Sequence, residues 1–117
     1  MIDLSVIIVS WNTRDLLEAC LASLQRAADG LAVETLVVDN ASADGSAAMV
    51  RQRFPQVQLI ENTENVGYAR ANNQAIRQCT GRHVMLLNSD TVVRPGALAA
   101  LVRFMDTHPA AGAAGPY

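Results

Sequence analysis

The 117-residue sequence contains no lysine, because all nine of its basic residues are arginine. This absence excludes several chemistries that occur in domains of this size. A Walker A loop needs its lysine against the nucleotide phosphates, and Schiff-base catalysis needs an amine. Phospho-acceptor receiver domains likewise depend on a lysine. The sequence therefore fits none of these three classes.

Strong charge is also lacking. Nine basic and eleven acidic residues leave a formal net charge of -2 and an isoelectric point near 5.5. Without a positive field to attract phosphates, we expect no nucleic-acid partner. Aromatic residues make up only 4% of the chain, yet 50% is hydrophobic, which is far more than disordered chains carry. The length suits one domain over residues 1–117.

Cysteines and long apolar runs are scarce. Cys20 and Cys79 are too few for a disulfide scaffold, and each lies on the apolar side of a predicted helix, where a free thiol behaves as a small hydrophobe. Residues 1–4 carry an acid where a signal peptide has bases. The longest apolar runs, Val6–Val9 and Val84–Leu87, are far shorter than the about 20 residues of a membrane span. These features predict reduced thiols and a cytoplasmic location.

Short, apolar, β-branched runs alternate with helically spaced apolar residues. The predicted strands are Leu4–Val9, Val33–Val38, Val57–Ile60 and His83–Leu87. Nearly continuous apolar strands are typical of strands buried on both faces. Their alternation with helices predicts an α/β fold with a doubly wound, mainly parallel sheet and flanking helices.

The helices are predicted from caps and periodicity. In the first, Asn12 or Thr13 is the N-cap, and the apolar positions are Leu16, Leu17, Cys20, Leu21 and Leu24. The third begins near Tyr68, ends at a Gly81 cap, and is expected to bury Ala71, Ala75, Ile76 and Cys79. Pro95 fits the first turn of the last helix. The segment Ala110–Tyr117 is predicted to have no partner element.

Polar side chains follow every predicted strand. They are Ser10-Trp11-Asn12, Asp39-Asn40, the stretch from Asn62 to Gly67, and Asn88-Ser89-Asp90. Ligands of open α/β sheets bind outside the carboxyl ends of the strands. The sequence therefore predicts one binding site at this edge.

Individual site residues allow two interpretations each. Trp11 is either a partly buried packing residue or an aromatic wall beside a flat ring. Asp39 either accepts an N–H from a base edge or closes an Asx turn, and Asn40 is expected to serve the loop. Arg70, in the first turns of a helix, either faces an anion or is solvated.

Asp90 is the candidate metal ligand, with a cap on the next turn as the alternative. Mg²⁺ and Mn²⁺ take carboxylate and phosphate oxygens together, and Asn88 could add a neutral oxygen. His83 and His108 lack metal-ligand spacing and are interpreted as surface residues. Ser10 has no base partner nearby in sequence, so nucleophilic hydrolysis is unsupported.

Taken in order, four segments resemble the amino-terminal half of a family 2 glycosyltransferase of the GT-A fold. They are Leu4–Asn12, Leu36–Ser46, Asn65–Asn73 and Leu86–Thr91. Asn88 stands where the first aspartate of the DxD motif is expected, a variant similar to the rhamnosyltransferase-like branch.

The resemblance implies a role for each matching residue. A nucleotide sugar would contact Val9, Ser10, Trp11, Asp39, Gly67, Arg70, Asn72 and Asn88. Asp39 would read the uracil or thymine edge. Asp90 would be the ligand of a divalent metal, Mg²⁺ or Mn²⁺, that bridges the diphosphate. The missing charge at Asn88 affects the metal site and the ribose contact.

The implied activity is metal-assisted transfer of a sugar from a UDP- or dTDP-sugar to a hydroxyl of a glycan or lipid-linked acceptor, with inversion. Family enzymes continue with an acceptor-binding half that supplies the catalytic base, and no residue after Asp90 is a plausible substitute. We therefore expect a truncated chain that has no catalytic residue of its own, is inactive alone, and self-associates.

Two alternatives are open. One is a non-catalytic α/β nucleotide-binding or interaction domain, since fold alone does not determine function. The other is a nucleotidyltransferase, which would need a Gly-rich basic loop after the first strand that Ser10–Asp15 does not supply.

Overall fold

The computed structural model describes residues 1–28, 30–109 and 112 as four consecutive strand–helix units. The elements are β1 (Leu4–Ser10), α1 (Arg14–Ala27), β2 (Val33–Asp39), α2 (Ser46–Arg53), β3 (Gln58–Glu61), α3 (Tyr68–Ile76), β4 (His83–Asn88) and α4 (Ala97–Thr107). Each predicted strand is present to within one residue at either end. The predicted unpartnered segment at 110–117 lies outside the described residues, apart from Gly112.

The four strands form one sheet in the order β3-β2-β1-β4, and all three strand pairs are parallel. The predicted parallel α/β sheet is therefore confirmed. β2 and β3 lie on one side of β1, whereas β4 lies on the other. The topological switch point, where such sheets bind ligands, is thus between β1 and β4.

Helices cover both faces of the sheet. Val6 and Ile8 of β1 point to the face packed by α1, α2 and α4, while Ile7 points to the face packed by α3. All three side chains are fully buried. Burial of each such side chain contributes about 1.5–3 kcal/mol. This arrangement confirms the doubly wound architecture and explains why the first strand has no polar face.

The structure corrects two predictions about α3. This helix packs on the sheet through Ala71 and Ala75, whose small side chains allow close approach. Ile76 is turned about 100° from Ala75 around the helix axis, so it is exposed rather than buried. Cys79 lies beyond the end of α3 and is half-buried. The predicted helical position of Cys79 is wrong because the helix ends three residues earlier.

The predictions for Leu16, Pro95 and Gly81 also change. Leu16 is exposed because the core-facing stripe of α1 passes through its neighbour Leu17. Pro95 lies in the turn before α4, whose N-cap is Gly96 at φ +84°. Gly81 is required by close packing instead of helix capping, since a Cβ there would lie 2.6 Å from the backbone nitrogen of Ser5.

Candidate functional site

The turns that follow β1 and β4 are joined at the switch point by three hydroxyl groups. The Oγ of Ser10 lies 3.0 Å from Oγ1 of Thr13, and Thr13 donates to the Oγ of Ser89 at 3.0 Å. The sequence predicts Thr13 only as a helix N-cap and Ser89 only as one of the polar residues that follow the last strand, and it assigns neither a contact of its own. Their only signal in the sequence is that they are small hydroxyl residues just after strands.

The turn after β1 is also bound to the turn after β2. The amide of Asn12 donates to the Ser42 hydroxyl at 2.9 Å, and the Asn12 side-chain oxygen accepts from the amide of Ala43 at 2.8 Å. Asn12 and Ala41 both have positive φ angles, of 51° and 62°. Asparagine tolerates this conformation, but alanine is strained by it. Such local strain is typical of loops shaped for binding.

Asn40 joins the end of β2 to the segment before α3, so the prediction that it serves loop structure is confirmed. Its side-chain nitrogen donates to the carbonyl of Gly67 at 3.3 Å. Its side-chain oxygen accepts from the Asn62 amide group at 3.0 Å. Asn62 and Gln74 in turn exchange two hydrogen bonds of 2.9 Å. This amide network holds the amino-terminal end of α3 against the carboxyl ends of β2 and β3.

The two carboxylate oxygens of Asp39 lie in different surroundings at the end of β2. The residue is only 4% exposed. Its Oδ2 accepts from the amide of Ser42 at 3.2 Å, which closes the predicted turn. Its Oδ1 is buried and has no hydrogen-bond partner among residues 1–28, 30–109 and 112. A buried acceptor without a partner costs about 1–3 kcal/mol, so this oxygen is suited to receive an N–H from a ligand.

The other predicted nucleotide-sugar residues divide into exposed and buried groups. Trp11 is 56% exposed, and Arg70 and Gly67 are exposed as well. Val9 is half-buried. Ser10 and Asn72 are buried, and the side-chain oxygen of Asn72 has no partner in the described part of the chain. A ligand could therefore reach Trp11 and Arg70 directly.

A groove of about 310 Å³ runs along α3 next to these residues. It is lined by Val66, Arg70, Asn73, Gln74 and Arg77. Two guanidinium groups make one wall of this groove cationic. Gln74 belongs both to the lining of this groove and to the amide network, so the groove adjoins the predicted site.

Asn88 and Asp90 are both exposed just outside the carboxyl end of β4. The carbonyl of Asn88 accepts from the amide of Thr91 at 3.1 Å, which shapes the turn. Burial, and secondly the negative charge of Asp90, raises the pKa of the Cys20 thiol to about 11. The Asp90 carboxylate therefore lies close enough to the Cys20 thiol to affect its pKa.

The donor set at this turn fits a divalent metal that is held jointly with a substrate. Across the described residues, no group of three or more His, Cys, Asp or Glu side chains could hold a metal ion. Asp90 alone supplies a carboxylate at the end of β4. Mg²⁺ commonly binds through one or two carboxylates plus substrate phosphates. The remaining ligands would come from a diphosphate and water.

The ion pairs of the described chain include a cluster at the amino-terminal ends of the strands, where β4 begins. Asp106 of α4 accepts from Arg82 at 2.6 Å and lies 2.8 Å from Nε2 of His83. The hydrogen bond from Arg82, and then that from His83, lowers the pKa of Asp106 to about 2. His83 is half-buried and belongs to this surface cluster, and His108 is exposed as predicted.

Within residues 1–28, 30–109 and 112, the structure contains no helix with the length and apolar character needed to span a bilayer.

Comparisons with known proteins agree on one family. The family model described as glycosyl transferase family 2 matches residues 5–117. An N-acetylglucosaminyl-diphospho-decaprenol L-rhamnosyltransferase of Mycobacterium tuberculosis is 34% identical over 97% of this chain, which spans 40% of that protein. The succinoglycan biosynthesis protein ExoO of Rhizobium meliloti is 35% identical over 95% of this chain and 31% of its own length. The chain therefore spans well under half the length of these curated relatives.

Solved structures share the fold. A mannosyltransferase of Pyrobaculum calidifontis in complex with GDP-Man and Mn²⁺ superposes with a TM-score of 0.78 and 32% identity, over 87% of this chain and 32% of that one. TarS of S. aureus in complex with UDP gives a TM-score of 0.80 over 99% of this chain and 38% of its own. At 22% identity, the TarS match shows the fold alone.

Proposed function

The chain belongs to glycosyl transferase family 2, and from this premise we propose that it is the donor-binding part of a metal-dependent glycosyltransferase. The donor is a UDP- or dTDP-sugar, which binds across the carboxyl ends of β1, β2 and β4. The single observation that carries this proposal is the buried Oδ1 of Asp39 at the end of β2, which has no hydrogen-bond partner among the residues that the structure describes. A uracil or thymine ring presents an N–H between two carbonyl groups, and that N–H suits this acceptor.

The surrounding residues complete the base and sugar site. Trp11 is exposed beside the end of β1 and offers a flat surface to the base. Val9 and Ser10, the last two residues of β1, support this turn. Gly67 begins α3 at φ +87°, a conformation that a side chain would strain, and leaves the approach to the helix open. Arg70, Asn72 and Asn88 line the remaining sides.

The metal is Mg²⁺ or Mn²⁺, held by Asp90 and the donor diphosphate. When bound, such an ion offsets the negative charge of the departing nucleoside diphosphate. Asp90 contributes one exposed carboxylate, and Asn88 contributes a neutral amide where a second carboxylate would strengthen the site. The mannosyltransferase that this chain resembles was solved with Mn²⁺, which supports the same class of metal here.

The larger reaction is glycosyl transfer with inversion to a hydroxyl of a glycan or lipid-linked acceptor in polysaccharide biosynthesis. The names of the two curated relatives support this class of acceptor. We assign the acceptor site and the catalytic base to the length that the curated relatives have in addition to this chain, since Asp39 is buried here and Asp90 is assigned to the metal. We place the protein in the cytoplasm, or at the inner face of a membrane, where nucleotide sugars are available.

Calorimetric titration of the chain tests the proposal. UDP and dTDP, each with Mn²⁺, should bind more tightly than GDP or ADP with Mn²⁺, and omission of the metal should weaken all four. The mannosyltransferase was solved with GDP-Man, so GDP is the informative competitor. Equal affinities for the four nucleotides would reject the role of Asp39. Absence of any binding would favour the non-catalytic interaction domain.

A further inference from the structure

Asp90 lies in a tight turn at the end of β4, residues 88–91, which we name the metal turn. The amide of Thr91 donates to the carbonyl of Asn88 at 3.1 Å and closes this turn. Ser89 and Asp90 are its two central residues. Beyond the turn, Val93 is buried in the apolar cluster that includes the core-facing side of α1. The chain that leaves the metal turn therefore returns toward α1.

Two neighbouring residues of α1 contact the chain on either side of the metal turn. At its start, the thiol of Cys20 lies 3.9 Å from the carbonyl oxygen of Asn88. After its end, the amide of Val93 donates to the Oγ of Ser23 at 2.9 Å, and this hydroxyl donates in turn to the carbonyl of Cys20 at 2.7 Å. Residues three apart on a helix lie on the same side of it. The segments that enter and leave the metal turn are therefore both attached to one side of α1.

Ser23 is a polar residue at a position where an apolar one would favour the helix more. It is 1% exposed, and the other buried residues of α1 are Leu, Cys and Ala. Serine is a weaker helix former than alanine, and a hydroxyl that bonds back to the preceding turn slightly destabilises a helix. What the hydroxyl supplies is an acceptor for the amide of Val93, 70 positions away in the chain. Ser23 therefore serves the segment after Asp90 more than it serves α1.

We propose that Ser23 is a positioning residue of the metal site, through the bond that it accepts from the amide of Val93. This inference rests on the proposed function, in which Asp90 holds a divalent metal together with the donor diphosphate. Ser23 is too deeply buried to contact either of them, so it acts only through the chain that follows Asp90. The Thr13–Ser89 bond holds the middle of the metal turn, and the Ser23–Val93 bond holds the segment that leaves it.

The orientation of Asp90 matters because this residue alone supplies a carboxylate at the end of β4. Groups that hold a metal ligand in place contribute to metal affinity although they do not touch the ion. While both ends of the metal turn are attached to α1, the Asp90 carboxylate keeps one orientation before the ligand arrives. Without the Ser23–Val93 bond, the segment must be ordered at the moment of binding, and the freedom lost then lowers the affinity.

Calorimetric titration of the 117-residue chain with UDP, in the presence and in the absence of Mn²⁺, tests this role. The quantity to measure is the metal enhancement, which is the ratio of the dissociation constant without Mn²⁺ to that with Mn²⁺. Ser23→Ala should lower the metal enhancement by about 2- to 10-fold, the equilibrium equivalent of one net hydrogen bond. Its affinity for UDP without Mn²⁺ should be unchanged.

Ser5→Ala is the matched control, because Ser5 makes the same two kinds of hydrogen bond elsewhere. Its buried hydroxyl accepts from the amide of Gly81 at 2.9 Å and donates to Glu34 at 2.6 Å, near the amino-terminal end of β1. Both serine variants should have a lower denaturation midpoint, but only Ser23→Ala should have a lower metal enhancement. Equal losses of metal enhancement in the two variants would overturn the proposal, since they would indicate a general loss of stability.

Amide exchange measures the same coupling without any substitution, and it decides the question if Ser23→Ala does not fold. Coupling between two sites is reciprocal. UDP with Mg²⁺ should therefore slow exchange of the Val93 amide, which donates to Ser23, more than exchange of the Gly81 amide, which donates to Ser5. Equal slowing of the two amides, or no slowing at Val93, would overturn the proposal.

Failure of the role of Ser23 and failure of the proposed function give different results. If Mn²⁺ does not enhance the binding of UDP to the unaltered chain, the metal role of Asp90 is rejected, and the positioning role of Ser23 is rejected with it. If the unaltered chain shows the metal enhancement and folded Ser23→Ala retains it in full, only the role of Ser23 is rejected.

Discussion

The hydroxyl of Thr13 donates a hydrogen bond to the Oγ of Ser89 at 3.0 Å, although the two residues are 76 positions apart in the chain. Ser89 lies between Asn88 and Asp90, the two residues that stand at the DxD positions. The bond therefore attaches the candidate metal turn to the amino-terminal end of α1. It links the proposed base-binding side of the site to the proposed metal-binding side.

The Thr13–Ser89 bond should stabilise the metal turn for binding. Ser89→Ala and Thr13→Val should each weaken the binding of UDP with Mn²⁺ by about 0.5–1.5 kcal/mol, the usual net value of such a bond. Thr13 makes no side-chain capping bond to α1, so Thr13→Val does not remove a helix cap. In a double-mutant cycle, the combined variant should lose little more than either single one. Fully additive losses would show that the two hydroxyls act independently.

Asp39 should determine the preference for pyrimidine nucleotides. Asp39→Asn keeps the size of the side chain but replaces one acceptor oxygen with a donor, so the affinity for UDP and dTDP should fall by about 1–3 kcal/mol. The affinity for GDP should change less, and the ratio of the two is the quantity to measure by calorimetry.

Asp44→Asn is the control for the Asp39 variant. Asp44 lies in the same loop, where it accepts from the amides of Arg14 and Ser46. Its replacement should lower the stability of the loop without changing the ratio of UDP to GDP affinity. If Asp44→Asn and Asp39→Asn shift that ratio alike, the preference reflects loop structure.

Asp90 should account for the metal dependence of nucleotide binding. Asp90→Asn removes the one carboxylate that the end of β4 supplies, so added Mn²⁺ should no longer increase the affinity for UDP. Asn88→Asp should have the opposite effect, because a second carboxylate favours a hard cation. Titrations of the two variants with UDP, with and without Mn²⁺, measure these two effects. If added Mn²⁺ increases the affinity of Asp90→Asn for UDP as much as it does for the unaltered chain, Asp90 serves only the structure of the turn.

The sequence predicts that the candidate site residues lie together because a simple rule connects their positions. Asp39 and Asp90 each follow an apolar strand, and parallel strands bring their carboxyl ends to one edge. The Thr13–Ser89 bond could not be predicted in the same way. It depends on β1 and β4 being neighbours, and the order of strands is set by packing between distant segments. The exposure of Ile76 could not be predicted for a related reason. The rotation of α3 about its axis is set by the packing of Ala71 and Ala75 on the sheet.

Stability should fall in acid because several carboxylates are stabilised in the charged form. Asp106 has a folded pKa of about 2 against an ordinary value of 3.8, owing first to Arg82 and then to His83. A lowered folded pKa contributes stability that is complete above pH 3.8 and is lost as the pH falls toward 2. The denaturation midpoint should therefore decrease between pH 5 and pH 2. Asp106→Asn should flatten this dependence, whereas Glu64→Gln, at an exposed position, should leave it unchanged.

The chain should bind nucleotide without transferring sugar. Inverting transfer needs a general base with a pKa near the working pH, and such a base contributes about 10²–10⁴-fold to the rate. Asp39 is buried, Asp90 is assigned to the metal, and hydrogen bonds, chiefly from Ser46, lower the pKa of Asp44. Asp106 has a pKa of about 2 and contacts Arg82 and His83 at the far edge of the sheet.

An assay of the chain with nucleotide sugars and a panel of acceptors, run beside a full-length relative, measures this. We expect no transfer by the chain under conditions in which calorimetry detects bound UDP, and transfer by the relative under the same conditions. The comparison matters because the chain spans only 40% of the mycobacterial rhamnosyltransferase, whose remaining length is available to supply an acceptor site and a base. Robust transfer by the 117 residues would mean that one of the carboxylates described above acts as the base. Asp90 and Glu64 would then be the first two to replace, because their exposed side chains follow the carboxyl ends of β4 and β3 and could reach an acceptor hydroxyl.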